Sequence, residues 1–505
     1  MLRTSSYTIY VPLPEGPGEV LLVHGYTGAY NKVSRSVADY LHSLEVAPPA
    51  KPLHGEWIEE PSVKHETAGA SVAPTARTIK LLRKRGFLTE MGLNEEVGYF
   101  ARAVKRLHAR HHAPHYIVMP TYNCNLRCAY CFQDHMRTNP AYAHLLQTMS
   151  TAMVDRMFKA FGNIESAHGV PAEQPISRRI GFFGGEPLLA QNRDIVEYVM
   201  SRARAIGSAS FWAVTNATEL DAYEDLLGPT GIEMVQITMD GPPAEHDKRR
   251  IYPDGAGSFD RIARNVDLCL ERRVNVSMRM NIDRGNIDLL PEFAAEVIAR
   301  GWHQSSGFSI YTAPITNSSR SVTMEQLRKR YFTSWELDQA LTELREREPA
   351  VRVIFRPTDE MQARAFAIFD TRGGGLSSLR TSFCGAHSGM YIFDAFGDVY
   401  ACWERTGDSS VRLGRILESG DLELSTGMVR LWRSRTPASN PTCRKCRYAL
   451  HCGGGCAVLA EGRNGKIHSN HCDGFAERFR YSVAEAYMAY VSGRRLNDHA
   501  RVCDL

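Results

Sequence analysis

Hydrophobic and polar positions between residues 116 and 314 alternate between two kinds of segment. Short apolar runs rich in β-branched and aromatic residues are followed by longer stretches with apolar residues every three or four positions. The first kind predicts buried strands and the second predicts amphipathic helices. Strands are predicted in the segments YIVMPTYN, RRIGFFGG, SFWAVTN, MVQITMDG, VNVSMRMNI and SGFSIYTAP.

Helical patterns separate these strands, as in TAMVDRMFKAFG, RDIVEYVMSRARAIG, FDRIARNVDLCLERR and LLPEFAAEVIARG. Such a series of βα units predicts an α/β fold with a partial (β/α)6 TIM-like barrel over residues 115–315. In that architecture the reactive groups lie where the strands end. A cysteine cluster, GGEP, TNAT and a DG pair follow the first four strands in turn. We therefore expect these four segments to converge on one rim.

Residues 1–105 have a different pattern. The segments SYTIYVPL and EVLLVHG flank PEGPG and predict a hairpin, and the segments VSRSVADYLHSL and TARTIKLLRKRG predict helices. Gly86 is expected to stop the second helix before a short strand. Together these elements indicate a small winged-helix-like domain. The basic stretch VKRLHARHHAPH is interpreted as a linker, not a metal site, because no thiol or carboxylate accompanies it.

Three regions follow the barrel. Residues 316–380 are predicted to be a helical bridge, TMEQLRKRYFTSWELDQALTELREREP, and a flexible linker, TRGGGLSS. Residues 381–475 are rich in cysteine and contain GMYIFDAFGDVYACWE, which predicts a hairpin turning at Gly397. A C-terminal helix is predicted in residues 476–505.

Composition is that of an ordinary globular protein. The chain has 505 residues, 43% hydrophobic and 23% charged, which is enough for two to four domains. The net charge of +4 is small for this length, so bulk charge supports neither a nucleic-acid nor a membrane role. No apolar run approaches the roughly 20 residues of a membrane span, and the N-terminus lacks a signal-peptide core. We predict a cytoplasmic protein.

The twelve cysteines are unevenly placed. Three lie between 124 and 131, seven lie between 384 and 472, and Cys269 and Cys503 stand apart. Disulfide frameworks belong to small secreted domains that lack a core, whereas this chain is long and its N-terminus lacks a signal-peptide core. Clusters of thiols in a reducing compartment indicate that the cysteines bind metal.

Cys124, Cys128 and Cys131 have the spacing CxxxCxxC. Three thiolates on a compact loop can bind three irons of a 4Fe-4S cluster and leave the fourth iron open. A structural zinc site would need a fourth protein ligand and usually contains paired CxxC knuckles. The spacing therefore favours a cluster with one corner free for a small molecule.

From Tyr116 to Pro314 the sequence resembles the radical S-adenosylmethionine (SAM) superfamily, whose first-strand loop carries this CxxxCxxC. The resemblance implies that the amino and carboxylate groups of SAM bind the open iron. It also implies reductive cleavage of SAM to a 5'-deoxyadenosyl radical, which takes hydrogen from an unactivated C–H bond. The cofactors carry this chemistry, and the protein supplies placement and exclusion of water.

Other rim segments fit SAM binding. Gly184 and Gly185 of GGEP leave backbone groups accessible, and Glu186 can accept a hydrogen bond from the SAM ammonium. TNAT, with Asn216, resembles the family's TNG segment, although Ala217 replaces the glycine.

The resemblance also places a hydroxyl and a guanidinium, Thr238 and Arg250, near the SAM carboxylate. An arginine can bond both carboxylate oxygens, and the alternative for Arg250 is a solvated position in a basic run. Arg279 and Asn281 alternate on the fifth strand and are expected to point into the barrel, with a structural hydrogen-bond role equally open.

The later cysteines have the spacing C-x12-G-x4-C, then C-x2-C-x5-C-x3-C, then a final cysteine. A zinc ribbon would explain CRKC alone but not seven thiols. The pattern is similar to the SPASM extension of radical SAM enzymes, which binds two auxiliary 4Fe-4S clusters. By position this implies Cys384, Cys402 and Cys456 for the first auxiliary cluster and Cys443, Cys446, Cys452 and Cys472 for the second.

Electron transfer and substrate binding are both open as roles for these two auxiliary clusters. Cys269 is expected to be a packed thiol in a helix, and Cys503 lies near the chain end.

SPASM enzymes that this chain resembles mostly act on peptides, so a ribosomal-peptide maturase is the first hypothesis. A sulfatase-maturing enzyme is the alternative. Relatives of that type carry a tyrosine and an aspartate where this chain has Gln133 and Trp403. A non-enzymatic iron–sulfur carrier or scaffold is a third hypothesis, but it leaves the open cluster corner and GGEP unexplained.

The N-terminal domain resembles a leader-recognition element, which would bind an extended leader at the edge of SYTIYVPL or of the strand after Gly86. The alternative is a domain that only stabilises the barrel. The expected partners are a precursor peptide with its leader and a reductant such as flavodoxin or ferredoxin. The sequence does not identify a catalytic acid or base, for which four residues are open: Tyr122, Gln133, Tyr252 and Glu404.

Overall fold

The structure is a computed structural model that describes residues 1–14, 18–46, 73–109, 113–171, 176–317, 324–370 and 379–493. Residues 371–378, which hold most of the predicted flexible linker, and Cys503 lie outside the described residues. Within the described ranges, none of the helices is both long and apolar enough to cross a membrane.

The N-terminal module, defined here as residues 1–108, contains a three-stranded antiparallel sheet in the order β2–β3–β4 and a separate β1–β5 pair. Its elements are β1 (Arg3–Thr4), β2 (Thr8–Pro12), β3 (Glu19–His24), β4 (Tyr30–Ser34), α1 (Arg35–Ser43), α2 (Ala76–Arg85), β5 (Leu88–Thr89) and α3 (Leu93–His108).

The predicted hairpin, both helices and the stop at Gly86 are confirmed, since Gly86 has φ +93° and donates to the Arg83 carbonyl. Three features of the module differ from the predictions. Strand β4 was not predicted, and β5 pairs with β1 instead of joining the main sheet. The prediction of a linker was wrong for residues 104–108, which form the last part of helix α3. The basic residues of α3 lie outward while Phe100 and Val104 are fully buried. The high proportion of basic residues in this stretch is the reason that the sequence pattern did not predict a helix.

The central region confirms the six predicted strands and the four predicted helices. Its elements are β6 (His115–Val118), α4 (Asp134–Thr138), α5 (Thr151–Ala167), β7 (Arg178–Phe182), α6 (Arg193–Ala205), β8 (Ala209–Thr215), β9 (Ile232–Thr238), α7 (Pro243–Arg249), α8 (Phe259–Glu271), β10 (Asn275–Ile282), α9 (Leu290–Ala299) and β11 (Phe308–Pro314). All six strands are parallel, in the order β11–β10–β9–β8–β7–β6. They are buried along most of their length, as expected where helices cover one face of a curved parallel sheet.

The C-terminal region continues this sheet. Its elements are α10 (Met324–Arg330), α11 (Ser334–Arg347), α12 (Pro357–Asp370), β12 (Met390–Phe393), β13 (Asp398–Tyr400), β14 (Gly414–Ile416), β15 (Leu422–Leu424), α13 (Thr426–Arg433), α14 (Pro441–Arg444), α15 (Ala449–Cys452), α16 (Ala457–Asn464) and α17 (Phe475–Val491). Strand β12 pairs in parallel with β6, and β13, β14 and β15 follow antiparallel. The four strands β12 to β15 therefore extend the barrel sheet to ten strands.

The predicted turn at Gly397 is confirmed, with φ +84°. The predicted helical bridge is two helices, because Thr333 and Glu336 form a capping box that starts α11. Helix α12 was not predicted. Cys269 is fully buried in α8, as expected of a packed thiol.

The main hydrophobic core joins the barrel to the hairpin. The Tyr116 ring of β6 stacks on Phe161 of α5 at 3.8 Å, and Phe161 in turn contacts Phe393 of β12 with ring centroids 5.4 Å apart. One helix thus covers both the first barrel strand and the added strand. The predicted fold class, α/β with a partial barrel, is confirmed.

A buried ion pair stabilises the N-terminal module. The Arg3 Nη2 atom lies 2.7 Å from Glu96 Oε2, and the Glu96 carboxylate also accepts from the Ser5 hydroxyl at 2.6 Å. Glu96 is fully buried and Arg3 is 6% exposed. Removal of either partner leaves a charge without compensation in a place that water does not reach.

We expect Glu96→Leu to lower the stability of the module by about 3–5 kcal/mol, because it leaves the Arg3 guanidinium buried and unpaired. The double variant Arg3→Met/Glu96→Leu should recover much of this loss, since neither charge remains. Hydrogen exchange of the module's backbone amides measures the effect. Lys32→Ala is the control, because its pair with Glu19 is about half exposed and should be worth less than about 1 kcal/mol. Equal losses in the single and double variants would contradict this account.

Candidate active site

The three cysteines of the first cluster lie on the loop after β6. Cys128 is 8% exposed, and Cys124 and Cys131 are partly buried. Burial raises the pKa of Cys128 to about 12; the nearby Arg250 lowers this pKa and the Cys124 and Cys131 sulfurs raise it. The three thiols are therefore close enough to interact, and their deprotonation inside the protein requires compensating positive charge. Iron supplies such charge when thiolates bind it.

N–H groups surround these sulfurs. The Arg137 Nη2 atom lies 3.2 Å from Cys131 Sγ, and the Leu126 backbone N–H donates to Cys124 Sγ at 3.4 Å. The Asn216 side-chain amide lies 3.7 Å from the same Cys124 sulfur. Hydrogen bonds to sulfur stabilise thiolates and tune the potential of iron–sulfur clusters. The donor set fits a 4Fe-4S cluster.

Within the residues that the structure describes, no three His, Cys, Asp or Glu side chains converge closely enough to hold a single metal ion. A 4Fe-4S cluster makes a different demand, because each thiolate binds its own iron at one corner of the cube. The three thiols share one loop, as that arrangement requires.

The GGEP segment after β7 packs directly on the cysteine loop. The Gly185 N–H donates to the Thr121 carbonyl at 3.1 Å, and the Glu186 N–H donates to the Asn123 carbonyl at 2.7 Å. A Cβ atom on Gly184 would lie 2.5 Å from the Thr121 oxygen, and one on Gly185 would lie 2.2 Å from the Asn123 oxygen. The two glycines thus have a packing role besides the predicted access of a ligand to the backbone.

Glu186 joins the ends of two strands. Its side chain accepts hydrogen bonds from the Thr215 hydroxyl at 2.7 Å, the Asn216 N–H at 2.5 Å and the Leu188 N–H at 2.9 Å. Burial raises the pKa of Glu186 to about 7, and these hydrogen bonds oppose the shift. The carboxylate lies at the rim, where its contact with the SAM ammonium remains a prediction.

The TNAT segment after β8 completes this side of the rim. The Asn216 side-chain amide donates to Asn125 of the cysteine loop at 2.8 Å. Ala217 has φ +63°, a left-handed conformation that glycine adopts at no steric cost. This conformation costs an alanine about 1–2 kcal/mol. The backbone at this position therefore has a geometry that favours glycine.

Tyr130, in the cysteine loop, connects the opposite side of the rim. Its hydroxyl donates to Asp240 and accepts from Arg250 Nη1 at 2.9 Å and from the Asn281 amide at 3.2 Å. Arg250 is 7% exposed, so the alternative of a solvated position in a basic run is wrong. Burial raises the pKa of Asp240, and the Arg250 charge opposes that shift.

Thr238 ends β9, is 8% exposed and pairs in register with Arg279 of β10. The Arg279 Nε atom donates to Asn281 Oδ1 at 3.0 Å, so the two residues lie on one face of the strand as expected. The sequence did not single out Tyr130, Arg137, Asn125 or Asp240 individually. The DG pair was the one local signal for Asp240. Asn125 and Tyr130 become visible only when the loops meet, whereas Arg137 lies six residues from its partner Cys131.

The seven later cysteines form two groups. Burial raises the pKa of Cys402, and the Cys384 and Cys456 sulfurs raise it further. Burial likewise raises the pKa of Cys443, with further increases from Cys446, Cys452 and Cys472. These groups of three and four coincide with the two predicted ligand sets. Their occupation by auxiliary clusters remains a prediction.

Residues 118–294 match the model of the radical SAM superfamily. This part of the chain is a radical SAM domain. The GTP 3',8-cyclase of Paracoccus denitrificans is 27% identical to it over 125 residues, which are 24% of this chain and 31% of that enzyme. The cysteine-type anaerobic sulfatase-maturating enzyme of Clostridium novyi is 24% identical over 180 residues, 34% of this chain and 45% of the relative.

The chain spans less than half the length of either of these curated relatives. Among solved structures, native anSMEcpe with bound AdoMet and Cp18Cys peptide superimposes with a TM-score of 0.54 at 16% identity, over 76% of this chain and 99% of that one. At this identity the similarity establishes the fold. The radical SAM match and the two curated relatives confirm the prediction of an enzyme.

The contact between GGEP and the cysteine loop should control SAM binding by the radical SAM domain. We expect Gly185→Ala to push the two loops apart, because its methyl group would meet two backbone carbonyls that cannot rotate away. Iron content should fall by about four per chain, and SAM should no longer bind in equilibrium dialysis.

Gly162→Ala is the matched control, because a Cβ at this position of α5 meets nothing within 4 Å. It should leave iron content and SAM binding unchanged. Normal SAM binding by Gly185→Ala would show that the close approach of the loops is not required.

Proposed function

We propose that this protein is a radical SAM/SPASM maturase that modifies a ribosomally made peptide. The observation that carries the proposal is the convergence of the cysteine loop, GGEP, TNAT and the Tyr130–Arg250 pair on one rim. When bound, the cluster and SAM would supply 5'-deoxyadenosyl radical chemistry, in which hydrogen abstraction from the peptide begins a crosslink or related modification.

The residues of the rim have separate tasks in this proposal. Cys124, Cys128 and Cys131 hold the cluster and leave one iron free. Glu186 accepts from the ammonium of SAM, and Arg250 binds its carboxylate through guanidinium N–H groups. Arg250 Nε has no hydrogen-bond partner among the described residues, although it is buried, which supports a ligand at this position.

Asn216 and Thr238 flank the two groups that bind the methionine end of SAM. The hydrogen bonds of Tyr130 fix the orientation of Arg250, so the charge that receives the carboxylate is in place before binding. Such preorganisation lowers the cost of ordering on binding.

The protein carries two auxiliary 4Fe-4S clusters in this proposal. Cys384, Cys402 and Cys456 bind the first, and Cys443, Cys446, Cys452 and Cys472 bind the second. The mutual interaction of the thiols within each set supports this division. A flavodoxin or ferredoxin supplies the electron that the SAM-binding cluster needs.

A peptide substrate is supported by the anSMEcpe structure, which holds AdoMet together with a peptide. Two positions argue against sulfatase maturation itself. Gln133 is 2% exposed and donates to the Thr406 hydroxyl at 3.1 Å, and the Trp403 ring contacts Phe183 at 5.7 Å. An amide and an indole thus occupy the positions where enzymes of that type carry a tyrosine and an aspartate.

The N-terminal module supplies a strand edge for the leader at β4. The Ala29 carbonyl accepts from the His24 N–H and the Arg35 N–H donates to the Gly18 carbonyl at the two ends of β4, so odd-numbered residues face β3 and even-numbered residues face outward. The outward Tyr30 carbonyl already accepts from Arg85 Nη2 at 2.6 Å, so the available edge begins at Lys32. Lys32 and Ser34 are exposed on that outer edge, and no described strand pairs with it. A leader would bind there as a fourth strand. We place the leader on β4 and not on β2, the other edge strand of this sheet, because four of the five residues of β2 are buried.

Formation of 5'-deoxyadenosine from SAM and dithionite under anaerobic conditions tests the chemistry. We expect Cys128→Ala to abolish it and to lose about four irons, because one corner of the cluster loses its ligand. Cys269→Ala is the matched control, since this buried thiol of α8 belongs to none of the three cysteine groups. An active Cys128→Ala variant would overturn the assignment.

Leader binding is tested with a synthetic leader from a short open reading frame beside the gene. We expect Lys32→Pro to weaken binding at least tenfold in fluorescence anisotropy, because proline removes an outward N–H while the bonds to β3 remain. Lys32→Ala loses the same charge but keeps the N–H, and it should bind within about twofold of the original protein. Equal losses in both variants would indicate recognition of the Lys32 charge instead of strand addition.

A further inference from the structure

The N-terminal module packs against the segment that carries Cys443 and Cys446. We propose that this module forms one wall of the second auxiliary cluster site and holds these two ligands in position. The inference rests on the proposed function for its assignment of four cysteines to that cluster. It gives the module a second role, separate from the leader edge on β4.

Cys443 lies inside a hydrophobic cluster that the module largely builds. The thiol is 7% exposed, and Cys446 packs against the same cluster. The buried members of this cluster are Tyr7, Tyr26, Phe100, Val104, Cys443, Ala449 and Leu450. Four of these seven come from the N-terminal module, so its side chains shield the Cys443 sulfur from water.

Two backbone contacts fix the ligand segment to the module. The Tyr7 hydroxyl donates to the Arg444 carbonyl at 2.5 Å, immediately after Cys443. Gly25 approaches the Arg447 carbonyl so closely that a Cβ atom would lie 2.1 Å from its oxygen. These contacts bracket Cys446 on both sides.

The ligand segment has little regular structure of its own. Cys443 lies in α14 and Cys452 in α15, and each helix has four residues. Helices of that length are not stable on their own, because forming a single turn fixes the backbone of several residues and gains only one hydrogen bond. The positions of Cys443 and Cys446 must therefore come from tertiary contacts, and the module supplies those on one side.

Gly25→Ala tests the proposal. Gly25 has a φ outside the left-handed region, so its backbone accepts alanine and the expected effect is the clash with the Arg447 carbonyl. Gly98→Ala is the matched control, because its methyl group in α3 meets only the end of the Arg102 side chain at 3.4 Å. Both changes add one methyl group to the same module.

With three clusters, anaerobically purified protein should contain about twelve irons per chain. We expect Gly25→Ala to contain about eight, to lose the electron paramagnetic resonance signal of one auxiliary cluster and to keep 5'-deoxyadenosine formation. Gly98→Ala should keep all three clusters. The double variant Gly25→Ala/Cys446→Ala should lose no more iron than Cys446→Ala alone, since both changes act on one cluster.

Full iron content and unchanged auxiliary signals in Gly25→Ala would overturn the proposal, as would further iron loss in the double variant. If Gly25→Ala does not fold, Tyr7→Phe removes the bond to Arg444 and keeps the ring. Faster loss of one auxiliary signal in air than in the original protein then supports the proposal, and an equal rate overturns it. Only about four irons in the original protein would instead refute the auxiliary clusters of the proposed function.

Discussion

The close contact between the loops after β6 and β7 is the constraint on which the candidate site depends. The cysteine loop contains no regular secondary structure between β6 and α4, so its own backbone cannot fix three sulfurs in space. Two N–H groups of GGEP bond to its carbonyls at 3.1 and 2.7 Å, and the contact leaves no room for a side chain at Gly184 or Gly185. The second strand of the barrel thus fixes the ligand loop of the first.

Buried charge is the second organising feature of the rim. Glu186 follows β7 and Asp240 follows β9, and Arg250 and Arg137 lie near the thiols. Each carboxylate has hydrogen bonds that offset part of its burial, and each arginine provides positive charge where thiolates are expected. Tyr130 joins Asp240, Arg250 and Asn281 through one hydroxyl. The rim is therefore polar yet largely shielded from water, which strengthens the electrostatic interactions within it.

Continuity of the sheet determines how the rest of the chain is arranged around this rim. Because β12 pairs with β6, Cys384 and Cys402 lie on either side of a hairpin that belongs to the barrel sheet. The first group of later cysteines and the rim are consequently parts of one packed body. The N-terminal module docks on the other group through Tyr7 and Gly25, so the cysteine-rich region lies between the module and the barrel.

The sequence was enough to predict the six βα units and the ten clustered cysteines, since both follow from local periodicity and spacing. It also located GGEP and TNAT, because in a parallel barrel the segments after consecutive strands must meet, and its resemblance to the radical SAM superfamily pointed to Arg250. It missed α3 and α12, whose charged or irregular surfaces obscure their buried faces, and it missed the edge strand β4.

The connections of Tyr130 and the contact of Gly25 with Arg447 emerge only in the folded protein, because these partners are far apart in sequence. Their contacts depend on close packing between separate elements, which local propensity does not encode. Ala217 illustrates both levels, since the sequence showed a departure from glycine and the structure shows a left-handed backbone at this position, a conformation that glycine favours.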